Sequence, residues 1–123
     1  DLQIMANKQV EFQIYVTESE KWEELREDPG LLVLDVHSDW CGPCKALVPT
    51  FKRIYFDHSD KPLKFLVVNA DKVDSFRSLA GKSRPMFQLW KAGEIVDTIE
   101  GANGPVLSKS ILTHLGVSEE KSG

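Results

Sequence analysis

The spacing of hydrophobic residues along the chain predicts five strands. Residues 10–16, VEFQIYV, alternate between apolar and polar positions, which is typical of a strand with one buried face. Two runs are almost continuously apolar, LLVLDV at 31–36 and LKFLVVNA at 63–70, and this pattern indicates central strands buried on both faces. Residues 86–90 and 94–101 form a predicted hairpin.

Helical patterns separate most of these strands. The predicted helices cover about 17–28, 43–57, 71–80 and 104–115. Strands with helices between them imply parallel pairing with helices on both sheet faces, and the late hairpin adds antiparallel strands at one edge. We therefore expect the α/β class, with a mixed central sheet of about five strands and helices on both faces. This architecture is shared by proteins with many different activities, so it does not by itself indicate the function.

The length, composition and charge of the chain limit the number of domains and the classes of partner that we expect. The chain has 123 residues, with 41% hydrophobic and 28% charged residues, as in an ordinary globular protein with one core. We expect one domain over 9–117, a flexible leader over 1–8 and a flexible tail over 118–123. The net charge is −4 and the basic residues are scattered, which disfavours nucleic acid or an anionic membrane as a partner. No apolar run approaches the ~20 residues needed to span a bilayer.

The only two cysteines stand in one motif, SDWCGPCKALVP at 38–49. A single CxxC pair fits a reducing compartment, here the cytoplasm, where such pairs are catalytic or metal-binding. Cys41 follows a buried strand and Cys44 lies in the first turn of the predicted helix, where free N–H groups and the helix dipole favour a thiolate. Cys41 is then the attacking thiol and Cys44 the resolving thiol.

Two alternatives for the pair need different surroundings. Structural zinc requires four ligands, and the three histidines show no ligand spacing: His37, His58 and His114. A purely structural pair would not need Trp40, Gly42 and Pro43 around it. We therefore expect a dithiol redox centre with no metal and no cofactor.

Asp35 is a charged residue in the middle of a strand that is otherwise apolar. Desolvation should raise the pKa of its carboxyl group, so that it can pass protons to and from Cys44 during exchange. The alternative to a proton relay is a carboxyl group that is only hydrogen-bonded by water or by a backbone donor. The CGPC motif that follows favours the proton relay.

The motif DWCGPCK, with Asp35 six residues before the first cysteine and Pro49 five residues after the second, resembles the thioredoxin family. The resemblance covers residues 10–116 and implies the thioredoxin fold. It also implies that Cys41 is the nucleophile, Cys44 the resolving cysteine and Asp35 the buried acid–base residue. Pro49 becomes a kink in the active-site helix.

The same resemblance implies a substrate surface around the cysteines. Its members would be Trp40, Gly42, Pro43, Arg84, Pro85 and Gly101. Pro85 is expected in the cis form beside the cysteines, and the backbone of Arg84 is expected to pair with a substrate segment as a short added strand. Implied partners are protein disulfides and a thioredoxin reductase-type electron donor.

Four positions depart from the usual family pattern. Arg84 and Met86 flank Pro85 where thioredoxins usually carry an aliphatic residue and a threonine, and the charge should bias partners toward acidic segments. Val67 stands where bacterial thioredoxins place a lysine near the buried aspartate, so Asp35 should be harder to ionise. His37 stands where bacterial thioredoxins have a second tryptophan. It either titrates near neutral pH and alters the reactivity of the site, or is solvated and has no role there.

The segments VLDVHSDWCGPCK and EGANGP resemble one branch of the family more closely. That branch contains the thioredoxin-like light chains of ciliary outer-arm dynein and the thioredoxin modules fused to nucleoside diphosphate kinase domains. The resemblance implies a redox-active subunit in the ciliary or flagellar axoneme, with the dynein heavy chain or other axonemal subunits as partners. The alternative is a non-catalytic structural or redox-sensing adaptor that docks by its thioredoxin surface.

Overall fold

A computed structural model describes residues 12–117 of the chain. The elements along the chain are β1 Gln13–Val16, α1 Ser19–Leu25, β2 Leu31–His37, α2 Val48–Asp57, β3 Leu63–Asn69, a 3-10 helix Asp74–Leu79, β4 Met86–Lys91, β5 Glu94–Glu100 and α3 Gly104–Leu115. Residues 10 and 11 of the predicted first strand lie outside the described residues, as do the predicted leader and tail.

The five strands form one mixed sheet in the order β1-β3-β2-β4-β5. Both β1 and β2 run parallel to β3, whereas β4 is antiparallel to β2 and β5 is antiparallel to β4. The expected α/β arrangement, with a hairpin at one edge, is confirmed. β2 lies between β3 and β4, and its residues 31–36 are all buried, as the apolar run predicted.

Each face of the sheet is covered by helices that bury an apolar cluster. On one face, α2 and α3 contribute Phe51, Ile54, Leu107 and Ile111. On the other face, α1 contributes Trp22 and the 3-10 helix contributes Phe76. The prediction of helices on both faces is confirmed, and β2 lies between the two clusters.

The helix that follows the cysteines begins later than predicted. It was expected from about Pro43, but α2 begins at Val48, and residues 42–45 are irregular. Pro49 has no N–H and its ring would clash with the carbonyl of a preceding helical turn, so Pro49 is tolerated only in the first turn of α2. The expectation that Pro49 kinks a longer helix is therefore wrong.

Within residues 12–117, every helix is too short or too polar to cross a bilayer.

Candidate functional site

The two cysteines lie in a loop that leaves the carboxyl end of the central strand β2. Ser38 begins this loop, and its carbonyl oxygen accepts the N–H groups of Cys41 (3.3 Å) and Gly42 (2.9 Å). Gly42 has φ +71°, a left-handed conformation that glycine adopts without strain. These contacts fold the loop tightly over the end of β2 and hold the cysteines above Asp35.

A cleft of about 160 Å³ brings most of the predicted site residues together. It is lined by residues 35–38, 41–44, 79 and 82–85. The lining includes Asp35, Cys41, Gly42, Pro43, Cys44, Arg84 and Pro85. Trp40 is not part of this lining, and its side chain is exposed at the surface. The cleft joins two chain segments, 35–44 and 79–85, that are far apart in the sequence.

Asp35 is buried beneath the dithiol with only 2% of its surface exposed. Its Oδ2 accepts the backbone N–H of Cys44 at 3.1 Å, and its Oδ1 has no hydrogen-bond partner within residues 12–117. Burial raises the pKa of Asp35 to about 7, against a smaller lowering by the Cys44 N–H. Val67 is the partner of Asp35 on β3, as expected, so an aliphatic side chain occupies that position.

Asp35 also borders a second cleft, of about 420 Å³, between β1 and the segment that leads into α2. Gln13 and Tyr15 contribute from β1, and Cys44 and Lys45 contribute from the loop. The carboxyl group therefore lies between two clefts, both of which also contact Cys44.

The two thiols differ in accessibility. Cys41 is exposed, and its Sγ lies 3.9 Å from the carbonyl oxygen of Lys82. Cys44 is half-buried and packs partly against the apolar cluster of α2 and α3. Both are free thiols. The expected position of Cys44 in the first turn of a helix is wrong, because α2 begins at Val48 and the Cys44 N–H is bound by Asp35 instead.

Arg84, Pro85 and Gly101 meet at the rim of the cleft. The N–H of Gly101 donates to the carbonyl oxygen of Pro85 at 2.7 Å. Gly101 has φ +88°, and a Cβ atom there would lie 3.2 Å from the Arg84 guanidinium. The expected cis bond before Pro85 is wrong, since residues 12–117 contain no cis peptide. Most X–Pro bonds are trans, and the pair Arg84–Pro85 does not by itself specify a cis bond.

A network of polar side chains at the carboxyl ends of β2 and β3 was not predicted from the sequence. Asn69 Nδ2 donates to Asp39 Oδ1 at 2.7 Å, and Asp39 N donates to Asp71 Oδ2 at 2.7 Å. The buried hydroxyl of Ser38 accepts the N–H of Gly81 at 2.6 Å. The only sequence signal was that polar residues follow each apolar strand. The Ser38–Gly81 bond attaches the cysteine loop to the segment that carries Lys82, and the other two bonds attach it to the carboxyl end of β3.

Replacing Ser38 by Ala should destabilise the protein by about 1 kcal/mol, because the Gly81 N–H loses its acceptor. Urea unfolding of the variant measures the change. Ser75→Ala is a matched control, since the Ser75 hydroxyl is exposed and makes only a 3.5 Å contact with Glu23. Equal stabilities of the two variants would show that the Ser38 bond contributes nothing.

The histidines do not assemble a metal site in the described part of the chain. No group of three or more His, Cys, Asp or Glu side chains between residues 12 and 117 is placed to hold a metal ion. His37 lines the first cleft, and its Nδ1 lies 3.1 Å from the carbonyl oxygen of Ser38. His114 is on α3, with Nδ1 2.9 Å from the carbonyl oxygen of Ser110.

Comparison with known sequences identifies relatives over most of the chain. A family model described as Thioredoxin matches residues 13–113. The Dynein 14 kDa light chain of the flagellar outer arm of Chlamydomonas reinhardtii is 45% identical over 93 residues, which are 75% of this chain and 71% of that protein. Thioredoxin domain-containing protein 6 of Xenopus laevis is 40% identical over 118 residues, 94% of this chain but 19% of that protein. The chain thus spans about a fifth of the Xenopus relative.

Solved structures show the same architecture. A thioredoxin from Nicotiana alata matches with a TM-score of 0.68 and 28% identity, over 85% of this chain and 93% of that one. A Plasmodium falciparum thioredoxin matches with a TM-score of 0.67 and 27% identity, over 82% and 98% of the respective chains. These matches confirm the expected fold.

Proposed function

The chain belongs to the thioredoxin family, and on that premise we propose that it exchanges thiols and disulfides with other proteins through Cys41 and Cys44. The observation that carries the proposal is the buried Asp35 carboxyl group directly beneath the exposed Cys41 and half-buried Cys44. Burying an ionised carboxyl group without a cation beside it costs folding free energy. Such a group is therefore often found where it takes part in a reaction.

The proposed reaction has two displacement steps. The Cys41 thiolate attacks one sulfur of a partner disulfide, forming a Cys41–partner disulfide and releasing the first partner thiolate. The Asp35 carboxylate takes the proton of the Cys44 thiol, and the Cys44 thiolate attacks the Cys41 sulfur. This forms the Cys41–Cys44 disulfide and releases the second partner thiolate. Asp35 passes its proton to the released partner thiolate. Two electrons have thus passed to the partner, and a thioredoxin reductase-type donor supplies the two electrons that reduce the Cys41–Cys44 disulfide again.

We propose the following roles for the remaining site residues. Gly42 and Pro43 keep the cysteine loop short, and Trp40 offers an exposed indole beside the cleft. Arg84 and Pro85 line the cleft and Gly101 lies at its rim, where we propose that an extended partner segment binds.

Removing the resolving thiol tests the reaction. With insulin as the disulfide substrate, Cys44→Ser should accumulate a covalent adduct with an insulin chain, because nothing displaces the partner from Cys41. The wild-type protein with dithiothreitol should accelerate insulin reduction instead. Non-reducing electrophoresis and the turbidity of reduced insulin measure the two outcomes.

The matched control is Cys41→Ser, which keeps the half-buried thiol and removes the exposed one. It should form no adduct and lose the acceleration. The proposal is wrong if Cys44→Ser forms no adduct although Cys41 still reacts with an alkylating reagent, because an accessible thiol would then lack exchange activity.

A second candidate function is favoured by the sequence relatives. The Chlamydomonas relative is named as a light chain of the flagellar outer arm, and this chain covers 71% of it. We propose that the protein works as a subunit of axonemal outer-arm dynein, with the heavy chain or another axonemal subunit as its docking partner. In this setting it is either a redox-active subunit or a non-catalytic adaptor.

Reconstitution with an outer-arm dynein extract separates these forms. Co-sedimentation of the wild-type chain and of a Cys41→Ser, Cys44→Ser double variant to the same extent would support the adaptor. Release of the wild-type chain alone on oxidation would support a redox-controlled subunit. Sedimentation at the size of the free chain in every condition would contradict both.

A further inference from the structure

The first cleft is lined by cations on the side that faces Cys41. Lys82 and Arg84 both line it and both are exposed. The backbone carbonyl oxygen of Lys82 is 3.9 Å from Cys41 Sγ, so the backbone of this segment lies beside the exposed thiol. The only carboxyl group in the lining is that of Asp35, which is 2% exposed. A bound segment would therefore face positive charge at the surface of the cleft.

Neither cation is neutralised by a neighbour in the described part of the chain. The ion pairs found between residues 12 and 117 are Arg26–Glu23, Lys64–Asp28 and Arg77–Asp74. The carboxylates of Asp39 and Asp71 accept hydrogen bonds from Asn69 and from the Asp39 N–H, respectively, and line no part of the cleft. The local positive charge is notable because the chain as a whole carries −4.

Backbone groups beside these cations are suited to a polypeptide. The N–H and C=O of Arg84 form no hydrogen bond within residues 12–117, and β4 begins two residues later at Met86. An extended segment can pair with this backbone while its own sulfur reaches Cys41. Carboxylate side chains flanking that sulfur would then lie near Lys82 and Arg84, with the geometry and charge that a guanidinium binds. These features favour an acidic peptide over a free phosphate group.

We propose that Lys82 and Arg84 make the cleft selective for disulfides whose cysteine is flanked by Asp or Glu. This selectivity rests on the proposed disulfide exchange at Cys41. Exposed ion pairs each contribute modestly, so two of them should favour an acidic segment over a neutral one by about 3- to 20-fold in capture rate. The preference should weaken with added salt, because screening acts on exposed charges.

The experiment isolates the first displacement step. Short synthetic peptides carry one cysteine as a mixed disulfide with thionitrobenzoate, and they differ only in having Glu, Ser or Lys on both sides of it. The Cys44→Ser chain is mixed with each peptide, and the Cys41 thiolate displaces the coloured thionitrobenzoate anion as the new disulfide forms. The rate constants are compared at low and high ionic strength.

Charge variants on the same background assign the effect to named residues. Lys82→Gln and Arg84→Gln should each lower the ratio of the Glu-peptide rate to the Ser-peptide rate, and together they should bring it close to one. Arg53→Gln is the matched control, because Arg53 is an exposed residue of α2 that lines neither the first nor the second cleft. It removes the same charge and should leave the ratio unchanged.

Several outcomes would overturn the proposal. Equal rates for the three peptides would show that the cleft does not select by charge, even though Cys41 exchanges disulfides. A ratio that persists in the double variant, or falls equally in Arg53→Gln, would remove Lys82 and Arg84 from the explanation. If an added oligonucleotide slows every peptide equally and no peptide is preferred, the cations bind nucleic acid instead. Absence of capture for all peptides would contradict the proposed function itself.

Discussion

Asp35→Asn should make the protein more stable above neutral pH, by about 2 kcal/mol at pH 8. Burial raises the pKa of Asp35 from 3.8 to about 7. At pH 8 the folded protein therefore holds a buried carboxylate that the unfolded chain would hold in water. Asparagine removes that charge and can still accept the Cys44 N–H. The gain is smaller than the full electrostatic cost, because a buried amide N–H₂ without partners costs about 1–3 kcal/mol.

The sign of the pH dependence follows from proton binding. Below pH 3.8 Asp35 is protonated in both states, and its contribution to stability is fully present. Between 3.8 and about 7 the unfolded chain releases the proton while the folded protein keeps it, so stability falls as the pH rises. The decline approaches about 1.4 kcal/mol per pH unit, and about 4 kcal/mol over the whole window.

Urea unfolding across this pH window measures the effect. The wild-type curve should decline relative to that of Asp35→Asn, and the difference should level off above about pH 7. Asp60→Asn is the matched control, because Asp60 is exposed in the loop before β3 and should leave the slope unchanged. Parallel curves for the wild type and Asp35→Asn would contradict a raised pKa for Asp35.

Trp22→Ala should cost about 3–5 kcal/mol of stability, the range for deleting a large buried aromatic side chain. Trp22 is fully buried, with its ring centroid 4.9 Å from that of Phe76 and 4.9 Å from that of Trp90. Phe76 lies on the 3-10 helix that leads to the segment carrying Lys82 and Arg84. The loss should therefore also loosen one wall of the cleft. Denaturant unfolding and near-ultraviolet circular dichroism measure both effects.

Trp22→Phe separates packing from hydrogen bonding. The Trp22 Nε1 is buried without a partner within residues 12–117, so phenylalanine removes an unsatisfied donor while keeping an aromatic ring. Its cost should be well below that of alanine, at about 1 kcal/mol. Trp40→Ala should cost almost nothing, because 64% of Trp40 is exposed. Equal losses for the Phe and Ala variants at position 22 would contradict a packing role.

The central strand and the dithiol could be predicted because their signals are local. Residues 31–36 are apolar on both faces, and β2 has both faces covered by helices. Asp35 stood out as a charge in that run, and it is buried beside the loop that carries Cys41 and Cys44. A β-strand and the short loop that follows it leave few possible arrangements, so residues close in sequence are also close in space.

Local patterns were misleading where a proline allows two conformations. The apolar spacing is the same whether the helix begins at Pro43 or at Val48. In the structure the helix begins at Val48, and the N–H of Cys44, which precedes it, donates to Asp35. The cis bond expected before Pro85 came from the family resemblance and not from a local pattern, and the described residues contain only trans bonds. The energy differences between such alternatives are small and are decided by neighbouring segments.

The sequence by itself determined the α/β class, the strand that carries Asp35 and the pair of thiols, because periodicity and motif spacing act within a few residues. Only the tertiary structure placed Lys82 against Cys41, 41 residues along the chain, and Arg84 beside Gly101. It also showed that Asp35 borders two clefts. Such contacts depend on strand order and register, which arise from burying both faces of the sheet at once and leave no local mark in the sequence.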